Sequence, residues 1–505
     1  GSRWGGTRPP WSRMGGCHRH HRPLPRPLHL GECWDRDGKW QILVQHMVFT
    51  HISMSQHIIT KALAISQSSA VTKHQPNMWP QNSNMIGDCL SIRRSNTNID
   101  HCDTGMPRLF KGISWHLRRF SQHILTGNFD SRGGAMFPQP AFDLVRDKKG
   151  KPSSYGRYES RVRKLPYFNN EFPVATLADE ILTQGEGQIR ALVTVAGNPV
   201  LSTPNGRQLD KAFASLDFMV SIDFYLNESS RHADIILPPV SPLEREHYDV
   251  IFHLLAVRNS ARYADALFQK PDDARHDWEI FQALADRLAP PAGLIAKATL
   301  KAKRLLTPRR TVDQLLKRGP YKLSVKKLLE APHGVDLGPL KSQLPQTLIH
   351  RDRRIKLEPD FFLADLSRLK AALAAHDPDD ESLLLIGRRH VRSNNSWLHN
   401  SHRLVKGKPR CTAQLNPRDA ARLGASDGQN IRITSRVGSL VIPVELTDAL
   451  MPGVVSVPHG WGHGREGVKL EIAGQHAGVS VNDLTDELAP AVESVTYDQR
   501  LAPED

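Results

Sequence analysis

The chain has 505 residues, room for about three domains of ordinary size, with 39% hydrophobic and 7% aromatic residues and a formal net charge of +15. No apolar run is long enough to cross a membrane as a helix. Five cysteines without one C-x-x-C pair leave no basis for a disulfide scaffold, a zinc ribbon or a cysteine-held iron–sulfur cluster.

The charge is unevenly spread. Residues 1–125 carry 16 Lys and Arg against 6 Asp and Glu, with 11 of the 24 histidines and four of the five cysteines; residues 126–505 carry 51 against 46. The opening stretch (GGTRPPWSRMGGCHRHHRPLPRPLHL) has no apolar period and no secretory h-region, and 74–105 is polar and Asn/Ser-rich. Cys17, His18, His20 and His21 have metal-ligand chemistry but no second ligand pair at useful spacing, so the segment reads as an irregular His/Arg tract. The near balance of charge after residue 125 speaks against a nucleic-acid-binding protein.

From residue 125 the sequence becomes locally consistent. LTGNFDSRGGAMFP (125–138) carries turn chemistry, and 174–189 reads as helix. ALVTVAGNP (191–199) is an apolar run closed by a turn, the form of a buried parallel strand. A helix over 207–215, a strand over 217–228 with Asp223 near its end, and a third strand over 233–239 follow. This alternation predicts an α/β domain, a parallel sheet with helices on both faces. RHDWEIFQALADRL (275–288) is an amphipathic helix with Trp278, Phe281, Leu284 and Leu288 on one stripe. Residues 291–380 are basic and helical in patches, a connecting part of that body, and Asp377 to Asp380 mark a boundary.

The remainder changes character. A strand over 382–387 is followed by a helix that Asn416 caps, Pro417 opens and Gly424 ends. Strands over 430–435, 439–446 and 454–458, with a turn at Asp427-Gly428, predict a β-rich barrel. The expected division is an irregular basic segment 1–123, an α/β domain 124–380 and a β-barrel domain 381–505.

Six motifs carry polar chemistry. Gly197-Asn198-Pro199 sits at the carboxyl end of a predicted parallel strand, where open α/β sheets bind ligands. Asp223, with Asn227, Glu228 and Ser229 after it, is placed to accept from a ribose hydroxyl or a guanine edge, or equally to cap a helix. Glu244 and Glu246 are acid/base candidates or solvated loop charges. The segment from Gly387 to Asn400 packs Arg388, Arg389, His390, Arg392, Ser393, Asn394, Asn395, Ser396, Trp397 and His399 into fourteen residues. Arg forks suit pyrophosphate, and Asn and Ser suit heterocycle edges. Pro458 to Gly464 offers His459, Gly460 and His463; with no carboxylate or cysteine beside them in sequence, hydrogen bonding to an extended organic group is the preferred reading over metal ligation. Asn482 to Asp486 is a polar turn.

Together and in this order these motifs resemble the molybdopterin oxidoreductase family of the dimethyl-sulfoxide-reductase type, formate-dehydrogenase-like, over residues 124–489. LTGNFDSRGGAMF is similar to that family's TGN-x-D-x-x-GG-x-M-F segment, AGNP and ADIILPP to its central α/β domain, and LNPRDAARLGASDGQNIRITSRVGSLVIPVELTDALMPGVVSVPHGWGHG to its dinucleotide-binding domain. The resemblance implies a bis-molybdopterin guanine dinucleotide cofactor with molybdenum or tungsten, two-electron chemistry on a small-molecule substrate, an electron-transfer partner subunit, and a double-psi barrel closing over the cofactor. It implies cofactor contacts from Gly197, Asn198, Pro199, Asp223, Arg388, His390, Arg392, Ser393, Asn394, Ser396, Trp397, His399, His459, Gly460 and Asn482. A 4Fe–4S cluster is expected in the full-length family, but nothing in 1–123 resembles its ligands or the metal-ligating segment. The expectation is therefore a carboxyl-terminal portion of such an enzyme, with 1–123 read as unrelated or out-of-frame sequence, catalytic residues unassigned and a cytoplasmic location by default. The other readings are a cofactor-binding module without catalysis and, behind it, a basic nucleic-acid-binding protein.

Overall fold

The computed structural model describes residues 121–144, 155–168, 171–288, 307–348, 350–357 and 382–488, the backbone of 494–498, and isolated helical positions at 293 and between 363 and 374. The Cys17–His21 cluster and the boundary expected at Asp377 to Asp380 lie outside them.

A short antiparallel pair, β1 (Tyr155–Glu159) and β2 (Pro166–Phe168), precedes helix α1 (Leu177–Leu182). Helix had been expected to 189. It stops at Thr183 because the chain then turns through Gly185 and Gly187, whose φ values of 131° and 76° suit glycine. β3 (Ala191–Val195), α2 (Pro199–Ser202), α3 (Gly206–Ala214), β4 (Phe218–Ile222) and β5 (Ile235–Ile236) follow, and the three strands form a parallel sheet in sequence order.

β4 ends beside Asp223, as the sequence suggests, and β5 is shorter than its apolar run; side chains explain both. β4 ends at Ile222 because the Asp223 carboxylate accepts the amides of Phe224 and Tyr225, at 2.7 and 3.1 Å, and folds the chain out of the ladder. β5 is confined to two residues because Pro238 and Pro239 lack amide donors after it, while Asp234 Oδ2 accepts the Met219 amide at 2.7 Å before it.

Alternation along β3 and β4 divides the sheet's faces. Leu192 and Met219 pack with Leu177, Ile181, Leu209 and Phe213 of α1 and α3. Val195 and Ile222 pack on the other face with Ile280, Phe281 and Leu284 of helix α4 (Asp277–Leu288). The stripe expected on α4 is displaced: Ile280 is its buried residue, whereas Trp278 is 37% exposed.

The basic stretch is not a plain connector. β6 (His247–Tyr248), β7 (Asn259–Ala261) and β8 (Tyr263–Ala264) lead into helices α5 (Pro308–Arg318) and α6 (Val325–Leu329) and strand β9 (Val335–Gly338), which pairs with β7. Leu316, Leu323, Val325 and Leu328 bury themselves against Ala141, Phe142, Ala261 and Tyr263, a separate small core.

The last part is a ring of strands. β10 (Leu383–Arg388) is followed by α7 (His402–Val405), β11 (Ala413–Leu415), α8 (Pro417–Leu423), β12 (Asn430–Thr434), β13 (Ser439–Leu446), β14 (Val454–Pro458), α9 (Glu471–Gln475) and β15 (Ser494–Asp498). The strands close in the order β10-β14-β11-β13-β12-β15, with β10–β14 and β11–β13 parallel and the other pairs antiparallel. Alternate residues face inward, among them Leu383 and Leu385, Ile431 and Ile433, Leu440, Ile442 and Val444, and Val455 and Val457.

Asn416 caps α8 as the sequence predicts: its Oδ1 accepts the Arg418 amide at 2.9 Å and its Nδ2 donates to the Leu450 carbonyl at 2.6 Å. Asn416→Ala removes both bonds at a buried position. It is expected to cost about 1–2 kcal/mol, measured by urea denaturation; an unchanged midpoint would show that the cap contributes nothing.

Candidate functional site

β3 and β4 end side by side, and their carboxyl ends carry the first two motifs. Ala196 turns the chain with φ of 44°, Gly197 is buried, and Pro199 opens α2. Asn198 is fully engaged: its Nδ2 donates to Glu228 Oε2 at 2.6 Å and its Oδ1 accepts from Ser229 Oγ at 2.7 Å. Ser229 Oγ in turn accepts the Val200 amide at 3.0 Å. Asp223 is buried and holds its own turn; burial pushes its carboxyl above the usual range against hydrogen bonds from Tyr225, Phe224 and Asn227.

The loops after β10 and β14 meet because those strands are parallel neighbours with their carboxyl ends together. The His459 amide donates to the Arg388 carbonyl at 2.9 Å. Gly460, at φ of 95°, lies so close to the other loop that a Cβ there would sit 1.9 Å from the Asn395 carbonyl oxygen. Asn394 and Asn395 both have positive φ, 39° and 62°, conformations that asparagine tolerates best among residues with a Cβ.

A buried line of hydrogen bonds joins these loops to the sheet. Glu228 Oε1 lies 2.9 Å from His463 Nδ1, and His463 Nε2 lies 3.0 Å from His399 Nδ1. Glu228 and His399 are 0% exposed and His463 is 3% exposed. The His399 ring stacks on Trp461 with centroids 4.0 Å apart. Burial works to raise the Glu228 carboxyl, but hydrogen bonds from His463 and Asn198 outweigh it and hold it below the ordinary value. Burial, then the neighbouring His463 and Arg410, lower the His399 imidazole to about 3. With Glu228 ionised, the His463 Nδ1–H donates to it, and the bond between His463 Nε2 and His399 Nδ1 fixes the two rings relative to each other. His399 Nε2 is buried without a hydrogen-bond partner, and so is Ser480 Oγ, which packs against Gly462. Two unpartnered buried polar atoms therefore border the 459–464 loop.

The other predicted contacts divide into two groups. Arg388 turns into the barrel, where it donates to the Ser456 carbonyl at 2.9 Å and the Thr412 carbonyl at 3.0 Å. Asn482 ties the barrel to α2, donating to the Leu201 carbonyl at 2.6 Å and accepting from Thr485 at 2.9 Å. Ser393 is buried. His390, Arg392, Asn394 and Trp397 are exposed along the β10 loop, Trp397 to 53%, and Ser396 is partly exposed beside them. Burial followed by the Arg410, Arg392 and Arg388 charges lowers the His390 imidazole. Glu244 caps its own turn by accepting the Ser241 amide, and Glu246 binds Tyr263 and Arg309, so both are structural. The sequence marks His463 as a candidate for hydrogen bonding to an organic group, but Glu228 only as a neighbour of Asp223, and it gives no sign that the two pair.

Two family models match. The molybdopterin oxidoreductase model covers residues 121–287, and the molydopterin dinucleotide binding domain model covers residues 383–500. The chain belongs to the molybdopterin oxidoreductase family. Members of that family are enzymes. The assimilatory nitrate reductase catalytic subunit of Bacillus subtilis is 35% identical over 103 residues, 20% of this chain and 14% of the relative. An F420-dependent formate dehydrogenase subunit alpha of Methanocaldococcus jannaschii is 24% identical over 291 residues, 55% of this chain and 40% of the relative. The acetylene hydratase of Pelobacter acetylenicus aligns in structure with a TM-score of 0.45 and 15% identity, covering 64% of this chain and 46% of that one. The molybdopterin oxidoreductase chain thus spans less than half the length of these relatives.

The residues present fit the family's cofactor in one respect and not in another. His399 Nε2 and Ser480 Oγ, with the exposed donors of the β10 loop, suit a large polar heterocycle carrying phosphates. Metal ligands are a different matter: among the described residues no group of three or more His, Cys, Asp and Glu is placed to hold an ion. Cys411 is set against the Val479 amide, 3.4 Å from its Sγ, and burial pushes its thiol up to about 11, unlike a thiolate ligand.

Proposed function

We propose that this chain binds a bis-molybdopterin guanine dinucleotide cofactor with molybdenum or tungsten and serves a formate-dehydrogenase-like oxidoreductase acting on a small molecule. The observation that carries this reading is the buried Glu228–His463–His399 line ending on the buried, unpartnered His399 Nε2. When bound, the cofactor supplies two-electron redox chemistry at its metal. His399 Nε2 makes a hydrogen bond to the cofactor, and Glu228 and His463 hold the ring in place for it. Arg392, Asn394 and Trp397 face the cofactor's polar edge, and Gly197 lets it approach the sheet. The mixed parallel and antiparallel ring is read as a double-psi barrel that lies over the cofactor, with electrons passing to a partner subunit. A cytoplasmic location belongs to the same proposal.

The test is to produce the full chain in a host that makes the cofactor, then measure molybdenum, tungsten and acid-released guanine nucleotide in the purified protein. Metal and guanine nucleotide in fixed ratio are expected. Absence of both overturns the reading, whereas both present without formate turnover identifies a binding module. Arg392→Ala is expected to reduce retained pterin severalfold at unchanged thermal stability, because Arg392 is exposed and a charge-assisted phosphate contact contributes about 1.5–3 kcal/mol. Unchanged retention removes Arg392 from the contact set.

A further inference from the structure

The positive charge of the later part of the chain is concentrated in one place. Residues 307–357 hold 12 Lys and Arg against 4 Asp and Glu, whereas all of 126–505 holds 51 against 46. This stretch lies between the two family-matched spans, which end at 287 and resume at 383. It is built on its own small core, so its surface is presented by a packed scaffold.

The cations gather on the α5–α6 hairpin. Lys322 Nζ donates to the Arg318 carbonyl at 3.3 Å and Lys327 Nζ to the Lys322 carbonyl at 3.4 Å, which brings these side chains together at the carboxyl end of α5. Arg318, Lys322, Lys326 and Lys327 are exposed, and among the described residues no carboxylate pairs with them. Elsewhere in the described chain arginines regularly have acidic partners, as in Arg161–Glu180, Arg231–Asp210, Arg258–Asp336 and Arg436–Asp486. Beside the cations an open groove between the helices has an apolar floor of Val325 and Leu329 and a rim of Arg309, Arg310 and Lys326, broken by two carboxylates, Asp313, which pairs with Lys317, and Glu330.

We propose that the α5–α6 hairpin is a docking surface for an acidic protein partner. Unpaired like charges on a rigid scaffold cost self-repulsion, which an acidic surface relieves on contact. The groove floor accepts an apolar anchor flanked by carboxylates. A nucleic acid fits less well, because the aromatic beside the cations in sequence, Tyr321, is only partly exposed and its hydroxyl donates to the Gln139 carbonyl at 3.1 Å.

The experiment measures binding of the full chain to a fluorescent 20-residue poly-L-glutamate peptide carrying a central leucine, and to a 20-base-pair DNA duplex, across salt concentrations. Two variants with the same charge change are compared: K322E/K326E/K327E on the hairpin, and K211E/K406E/R418E at exposed positions outside residues 307–357. The hairpin variant is expected to weaken peptide binding about tenfold and flatten its salt dependence, with the control within about twofold of the parent. Circular dichroism confirms that both variants fold. Equal loss in the two variants overturns the proposal, since the charge then acts globally. Tighter binding of the duplex than of the peptide, lost in the hairpin variant alone, also overturns it and assigns the surface to nucleic acid.

Discussion

Glu228→Ala is expected to destabilise the protein by about 3–5 kcal/mol, because it removes one side of a buried charge network and leaves the other side unpaired. The carboxylate is fully buried and serves two donors, Asn198 at 2.6 Å and His463 at 2.9 Å. Its removal also releases the His463 ring, and with it the position of His399. Glu228→Gln retains the shape and one acceptor oxygen and is expected to lose about half as much. Urea denaturation at pH 7.5 measures both; a loss below about 1 kcal/mol for Glu228→Ala would remove the buried line from any account of the site.

The same network gives stability a definite pH dependence. His399 in the folded protein is lowered from 6.5 to about 3. Between those values the unfolded chain binds a proton that the folded chain refuses, so stability falls as pH drops from about 6.5 towards 3. Glu228 works in the same direction lower down: its carboxyl is depressed on folding, so its contribution is complete above the usual value of 4.5 and is lost as pH falls below it. His399→Phe keeps a ring against Trp461 and removes the first of these losses. The variant's stability is expected to be flatter than the parent's between pH 6.5 and 5, and parallel curves would place the titration elsewhere.

What the sequence discloses and what it hides follow from the range of the interactions. The ring of strands is legible because each strand alternates strictly and its turns are local: Ile431 and Ile433, Leu440 and Ile442, and the Asn416, Pro417 and Gly424 punctuation of α8 depend on neighbours within a few residues. The end of β4 near Asp223 is legible, though not the two amides that the carboxylate takes, whereas β5 is overextended in the sequence because an apolar run does not show that Asp234 will replace a ladder partner. Trp278 looks like a core residue by period, yet the sheet offers its face to Ile280 instead. Arg388 was chosen for its fork, but the carbonyls it satisfies come from β14 and the chain before β11. The Glu228–His463–His399 line is the least legible part, since its members stand 235 and 64 positions apart and meet only once the loops are placed. A carboxylate just after a strand and a histidine in a glycine-rich turn were visible; their pairing was not.

Gly460→Ala is expected to be the most damaging small substitution in the site. Its φ of 95° already costs a residue with a Cβ about 1–2 kcal/mol, and the added carbon would fall 1.9 Å from the Asn395 carbonyl oxygen and 3.1 Å from the Ser396 amide nitrogen. Neither neighbour is a flexible side-chain end, so one of the two loops must move. Gly428→Ala supplies the comparison: its φ is 79° but nothing lies within 4 Å of the new carbon. The difference between the two variants isolates the clash from the backbone strain, and Gly460→Ala is expected to lower stability at least about 2 kcal/mol further. It should also shift tryptophan fluorescence, because the displaced segment carries Trp461 on one side or Trp397 on the other. In the cofactor-loaded protein the same substitution is expected to reduce pterin retention about tenfold, since the loop shift moves His399 off the position that Glu228 and His463 hold. Equal stabilities for the two variants would mean that the loops tolerate separation, and the backbone contact between Gly460 and Asn395 would then have no part in setting the site.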